Sequence, residues 1–341
     1  MKNLLFAAAA LTAALFASCD KTDDTIAPTP VDTDDARVTI TLADDASTRA
    51  FFDETAEAEA WEKSLSSLAV FAFDNAGSLI IRRDFTTAEL TARSATFSLP
   101  KSAAGTSCSF YAVANFDASS AKTQAALTAM VENAAASYNG TFAEVSAKAL
   151  RPGGFVMSGM KTQTIGAVNS TTNVGIALKR TVAKVALQTT VDASFARKYG
   201  GSLTINSVKL SKAAAQSLVV AGSTPSPGAM TYTHTQTPAA ASSAFNNLFY
   251  IYENGALTAG NRVLLEINAT YDMDGNAATA DDRSEVTYSI ELAGKAAGEI
   301  VRNGCYRIAA NITGLVGQEC AVSITVADWE TPQTQTVTLG A

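Results

Sequence analysis

Short stretches in which apolar and polar residues alternate recur from about residue 37 onward, with turn-forming residues between them. Val38-Thr39-Ile40-Thr41-Leu42 is the first. A period of two puts Val38, Ile40 and Leu42 on one face of a strand and leaves the threonines on the other. Residues 68–73 (LAVFAF) and 78–81 (SLII) flank Asp74-Asn75-Ala76-Gly77, which reads as a hairpin. Residues 94–99 alternate again and stop at Pro100, and further strands fall at 108–116, 155–160 and 174–178. A second group comes at 179–187, 203–210, 248–252, 263–271, 286–292, 306–312, 322–326 and 336–339. Residues 118–135 break the pattern: they are Ala-rich, with Leu127, Met130 and Val131 at helical spacing, and are expected to form one helix in a long connection. Nothing resembles the regular strand-helix alternation of a parallel sheet. The expected fold is all-β, two β-sandwich domains in series, with a short helix in a connection of the first and a boundary near residue 179.

The N-terminus reads separately. Lys2 precedes the apolar residues 4–17, LLFAAAALTAALFA, too short for a stable membrane-spanning helix and of the length of a secretory core. Small residues then lead into Cys19, in the manner of a lipoprotein signal peptide whose cleavage leaves the lipid on that cysteine. Phe16 stands where leucine is commoner. Residues 20–35 hold six aspartates, one lysine and two prolines, a composition that cannot bury a core and reads as a disordered tether. The remaining cysteines, Cys108, Cys305 and Cys320, form no C-x-x-C and read as buried apolar side chains, with a bridge between Cys305 and Cys320 as the alternative.

The net charge of −7 is uneven. Residues 20–49 carry eight acidic and three basic groups, or −5. No basic patch for nucleic acid is present. Catalytic patterns are also missing. The one histidine, His234, lies in a Thr-rich segment read as a loop, and there is no G-x-S-x-G, phosphate-binding loop or H-E-x-x-H. Asp272-Met273-Asp274-Gly275-Asn276, followed by Asp281-Asp282, faintly resembles a calcium loop, but its glycine comes fourth where an EF-hand needs it sixth. It reads as a polar hairpin tip, and no enzyme activity, cofactor or metal is expected. Asn139-Gly-Thr, Asn268-Ala-Thr and Asn311-Ile-Thr match the glycosylation acceptor by coincidence of composition.

Three features fit together. The strand 38–42 is followed by a small, polar segment holding a lone arginine, Ser47-Thr48-Arg49-Ala50, a good target for an Arg-specific protease. A cut after Arg49 would release the lipid, the tether and the whole first strand. The C-terminus repeats the pattern of that strand, Val337-Thr338-Leu339 against Ile40-Thr41-Leu42. Removing a strand from a sandwich exposes unpaired backbone groups and the pockets that held its side chains. A strand of matching alternation from another subunit could fill them. Burying three such side chains stabilises by roughly 5–8 kcal/mol before the entropy of ordering is subtracted. The exchange is head-to-tail and gives an open filament.

The chain resembles the fimbrillins, the type V pilins of Bacteroidales. The landmarks are the Cys19 lipobox, Thr48-Arg49-Ala50-Phe51, residues 178–185 (LKRTVAKV), 249–254 (FYIYEN), 301–308 (VRNGCYRI) and 324–329 (ITVADW), in that order. The resemblance implies two transthyretin-like β-sandwich domains, export as a lipoprotein to the outer membrane and cleavage by an Arg-specific protease. Arg49 would be the cleavage residue and Ala50 the new N-terminus. The displaced strand would be Val38, Ile40 and Leu42, and the donor strand the segment after Trp329 with Val337 and Leu339. The expected segmentation is 1–19 signal peptide, 20–49 tether and first strand, 50–179 first sandwich, and 180–341 second sandwich with the donor strand. Expected partners are other fimbrial subunits, in a homopolymer or with tip and anchor proteins, the protease, and the outer membrane through the precursor's lipid. The expected location is a cell-surface fimbria. Arg180 and Trp329 read as structural residues. A lipid-anchored fimbrial anchor, or a monomeric surface adhesin or glycan-binding lipoprotein, is the competing reading.

Overall fold

The computed structural model describes residues 35–44, 59–147, 153–225, 227–241, 243–276, 278–316, 320–328 and 332–339. All of them fall in the unit Thr33–Ala341. The fold is all-β with a few short helices, and among the described residues no helix is long and apolar enough to cross a membrane.

The first eight strands are β1 (Ala36–Asp44), β2 (Leu68–Phe73), β3 (Leu79–Asp84), β4 (Ser94–Leu99), β5 (Ser107–Ala114), β6 (Val131–Glu132), β7 (Met157–Thr164) and β8 (Thr171–Arg180). Seven of them pair in the order β3-β2-β5-β7-β8-β1-β4. The junction between β7 and β8 is narrow, held by Met157↔Arg180 and Ser158↔Lys179. Gly159 permits the close approach there: a Cβ would stand 2.1 Å from the Ala177 carbonyl oxygen. The run turns at this junction into two layers, because side chains of β2 and β5 share one core with those of β1, β4 and β8. Val70, Ala72, Phe110 and Ala112 meet Val38, Ile40, Val174 and Ile176 in that core.

The strand β2 is buried at all six positions. It reads as an apolar run where other strands alternate because both its faces are covered. Leu68, Val70 and Ala72 face the sandwich core, while Ala69, Phe71 and Phe73 pack with Tyr111, Val113, Leu127, Val156 and Val219.

Residues 118–135 do not form the single helix that the spacing predicts. Thr123 caps a helix, α1 (Gln124–Thr128), by accepting a hydrogen bond from Ala126 N–H at 3.1 Å, and that helix ends within two turns. Val131 and Glu132 then pair as a strand with β11 (Ser217–Leu218), far along the chain. Leu127 is buried, but Val131 is exposed. Tertiary pairing overrides the local pattern. Two further short helices come next, α2 (Ala135–Tyr138) and α3 (Phe142–Ala147).

The remaining strands are β9 (Val182–Val191), β10 (Ser202–Ala213), β11, β12 (Tyr232–Gln236), β13 (Ala239–Ala241), β14 (Ala244–Tyr252), β15 (Leu264–Asp272), β16 (Arg283–Glu291), β17 (Gly304–Ile312), β18 (Cys320–Asp328) and β19 (Pro332–Leu339). They form a four-stranded sheet, β12-β10-β15-β16, and a six-stranded sheet, β13-β14-β9-β17-β18-β19. Val208, Leu210, Leu265 and Ile267 of the first share a core with Val185, Leu187, Tyr306 and Ile308 of the second. Residues of the long connection, Ala135, Tyr138, Val145 and Phe155, join that same core. His234 lies on β12 and not in a loop: Thr233 and Thr235 point outward, and its Nε2 sits 3.1 Å from Gly140 O.

Candidate functional site

The strand β1 is the element with the most to say about function. Its alternation is realised: Ala36, Val38 and Ile40 are fully buried, Leu42 is 4 % exposed, and Arg37, Thr41 and Ala43 face outward. Both of its edges are paired. It runs parallel to β8 from Arg37↔Thr171 to Asp44↔Leu178 and antiparallel to β4 from Ala36↔Leu99 to Thr41↔Ser94. Side chains reinforce the second edge: Ser94 Oγ donates to Ile40 O at 3.0 Å, and the Thr39 and Thr96 hydroxyls lie 2.9 Å apart.

The layer β8-β1-β4 depends on this one strand. Among the described residues β4 pairs with β1 alone, and β8 has besides β1 only the narrow junction with β7. Withdrawing β1 would leave β4 with no strand partner. It would open a slot lined by Val174, Ile176, Leu178, Ala95 and Leu99, with unpaired backbone groups on both walls. Because β1 precedes every other described element, it can leave without any part of the remaining fold being threaded out.

The chain is held firmly on the other side of residues 45–58. A single 3-10 turn, Ala60–Lys63, carries Glu62, which has no exposed surface. The Glu62 carboxylate lies 2.9 Å from Lys184 Nζ, itself fully buried on β9, and accepts from the Tyr250 hydroxyl at 2.9 Å. The Glu62 carbonyl accepts from Arg180 Nε at 2.8 Å, and Arg180 Nη1 donates to Asn303 Oδ1 at 2.7 Å. Trp61 packs against Phe155 and Tyr250, with ring centroids 5.7 and 6.1 Å apart. Asn115 closes the neighbouring stretch: its Oδ1 accepts from Ser66 N–H at 2.8 Å, and its Nδ2 donates to Ser64 O at 2.8 Å and Phe155 O at 2.7 Å. The chain from Glu59 onward is thus fastened to the body, whatever becomes of residues 45–58.

Three of the sequence landmarks meet at this fastening. Residues 178–185 supply Arg180 and Lys184, residues 249–254 supply Tyr250 and Glu253, and residues 301–308 supply Arg302 and Asn303. Asn303 N–H also donates to Val182 O at 2.9 Å. Arg302 and Glu253 form a second buried pair at 2.5 Å. Arg180 therefore has the structural role its position suggested. Glu62 and Asn115 were not legible as partners. Glu62 sits in a charged stretch that reads as surface, and the visible signal was the lysine inside the apolar run Val182-Ala183-Lys184-Val185, which demands a buried partner.

At the other end, β19 is an edge strand, paired with β18 from Cys320↔Leu339 to Ala327↔Pro332. Val337 lies opposite Val322. Cys19, Arg49, Ala50 and Trp329 lie outside the described residues. Cys108 and Cys305 are both buried. Cys305 stands opposite Ala327 and Cys320 opposite Leu339, so the two do not face one another in the sheet. Burial is the main reason the Cys108 thiol is pushed above its usual range.

The chain was compared with known proteins. A search among curated proteins finds no match. Solved structures match over most of the chain. A protein of Bacteroides eggerthii described as a cell adhesion protein gives a TM-score of 0.56 at 18% identity, covering 84% of this chain and 88% of that one. A Parabacteroides distasonis protein described in the same words gives 0.57 at 15% identity, covering 84% and 90%. The tip fimbrial protein Mfa3 of Porphyromonas gingivalis gives 0.53 at 16% identity, covering 86% and 100%. These likenesses concern the fold. Residues 36–193, from the start of β1 to just past β9, match the family model described as major fimbrial subunit protein (FimA). The resemblance to the Bacteroidales fimbrillins thus holds over residues 36–193, the stretch that matches the model of the FimA major fimbrial subunits.

Proposed function

We propose that the chain is a fimbrial subunit that is exported as a lipoprotein and polymerises when a protease releases its first strand. In this reading Cys19 carries the lipid that holds the precursor at the outer membrane. An Arg-specific protease cuts after Arg49, Ala50 becomes the N-terminus, and Val38, Ile40 and Leu42 leave with the discarded segment. The C-terminal strand of the next subunit then enters the slot. The partners are further copies of the chain or fimbrial tip and anchor proteins, the location is a cell-surface fimbria, and the contribution is to adhesion. The division into a first sandwich over 50–179 and a second over 180–341 belongs to the same proposal; the strands on each side of it build a core of their own, while the connection 135–155 packs into the second.

The observation that carries it is the position of β1. It is an interior strand, paired on both edges and buried on one face, yet it lies at one end of the described fold and is followed by the Arg49 segment. The pocketed face of β1 takes an apolar residue at every second position. If Val337 and Leu339 take the places of Ile40 and Leu42, Gln335 falls on the place of Val38. A slide of two residues keeps the faces unchanged and brings Val337, Leu339 and Ala341 to the places of Val38, Ile40 and Leu42. The edge position of β19 favours its release, since it gives up pairing on one side only.

N-terminal sequencing of the protein shed from the cell surface tests the reading. Mature protein beginning at Ala50, and lipidated precursor accumulating as monomer in the Arg49→Ala variant, are the expected results. Mature surface protein that still begins at lipidated Cys19 would instead mark the chain as an anchor or a monomeric surface lipoprotein.

A further inference from the structure

We propose that the hairpin joining β15 and β16 holds a Ca2+ ion on Asp272, Asp274 and Asp282, a site independent of the strand-exchange reading. Asp272 ends β15 and pairs with Arg283, which begins β16. One carboxylate oxygen from each of the three aspartates lies within 4.8 Å of the other two. A Ca2+ ion takes oxygen ligands at 2.3–2.6 Å, so oxygens on opposite sides of one ion stand up to about 5 Å apart, and a single ion reaches all three.

Acidic residues often gather at hairpin tips with no ion between them. What sets this group apart is where its hydrogen bonds stop. Asp272 is 7 % exposed. Its Oδ2 accepts from Arg283 Nε at 3.2 Å, while its Oδ1 is buried with no hydrogen-bond partner among the described residues. Asp282 repeats the arrangement: Oδ2 accepts from Asp274 N–H at 2.8 Å, and Oδ1 is buried with no hydrogen-bond partner among the described residues. Asp274, which is exposed, receives Asn276 N–H on its Oδ1 at 2.7 Å. A buried carboxylate oxygen without a partner is costly, and two of them beside a third carboxylate repel one another. A cation removes both penalties.

Charge and donor type name the ion. Three carboxylates against the Arg283 guanidinium leave −2, which a divalent cation neutralises. The donors are all oxygen, which selects a hard ion over zinc or copper. The ligands come from an irregular turn with Gly275 at φ +71° and one exposed aspartate that leaves room for water. That suits the large, adaptable shell of Ca2+ better than the strict octahedron of Mg2+. The sequence favoured a plain polar tip because the glycine spacing of an EF-hand is absent. The folded hairpin supplies ligands from two strand ends, so that spacing does not apply.

The purified full chain, stripped with EDTA and dialysed, is titrated with CaCl2 and followed by calorimetry and thermal unfolding. One site with a Kd on the order of 10⁻⁴–10⁻³ M and a Tm that climbs with Ca2+ are expected. Asp274→Asn and Asp282→Asn should each weaken binding roughly tenfold or more while leaving the metal-free fold intact. Absence of heat and of any Tm shift at about 10 mM CaCl2 would overturn the site. So would a shift of unchanged size in both variants. A response to MgCl2 equal to that to CaCl2 would overturn the assignment of the ion.

Discussion

Lys184 and Glu62 are both withdrawn completely from water, and each is the other's counter-charge. Removing one member of such a pair leaves an unbalanced buried charge, so Lys184→Ala should lower stability by about 3–5 kcal/mol, measured by urea unfolding. Replacing both members with apolar residues of similar size should cost much less, because no charge is then stranded. Tyr250 shares the site. Burial above all, and then the Glu62 carboxylate beside it, hold its phenol well above the ordinary tyrosine pKa. Proton counting gives the sign of the effect. Above pH about 10 the unfolded chain gives up the Tyr250 proton while the folded chain keeps it. The stability this group contributes is therefore complete below that pH and is lost as the pH rises toward the folded value. Tyr250→Phe, though less stable at neutral pH, should show a shallower loss of Tm above pH 10 than the parent; equal slopes would contradict the assignment.

Among the elements, β1 and its neighbours were legible as strands, and their pairing was not. The alternation of Val38, Ile40 and Leu42 states that the segment is a strand with one buried face, and the structure buries those residues. It does not state that β1 lies between β4 and β8, because the parallel register with β8 joins positions more than a hundred residues apart, such as Ile40↔Val174. Local sequence carries no record of such pairing. The same limit explains the failed helix over 118–135, where apolar spacing gave way to the pairing of Val131 and Glu132 with β11. It also explains Glu62, whose burial depends on β9 and β14. The hairpin of β2 and β3 came through clearly because its turn, Asp74 to Gly77, is local chemistry: Asp74 Oδ1 accepts from both Ala76 and Ser78 N–H. Since Ile40 sits at the centre of β1 with no exposed surface, Ile40→Ala should destabilise the intact precursor by about 2–5 kcal/mol. In the subunit from which β1 has been removed, the same substitution has no side chain to act through and leaves stability unchanged.

For the molecule as a whole, the proposal assigns β1 as the strand that leaves and the chain from Glu59 onward as the body that stays. The buried contacts of Glu62, Arg180, Lys184, Tyr250 and Asn303 tie residue 59 onward to β9, β14 and β17. The landmarks spread over 178–308 are thus, in large part, the parts of one fastening. In the proposed reading, that fastening would keep the body from Glu59 onward in place when a cut at Arg49 frees the N-terminal segment. In the proposed exchange the slot left between β4 and β8 would be the receiving half, and β19, at the edge of the six-stranded sheet, the donating half. The most direct measurement treats purified precursor with an Arg-specific protease and runs the product, unheated, on SDS gels beside a chain lacking residues 333–341. The expected result is a ladder of SDS-resistant polymers from the full chain and cleaved monomers alone from the shortened one. Equal ladders from both chains, or monomers alone from a full chain cut after Arg49, would contradict strand exchange.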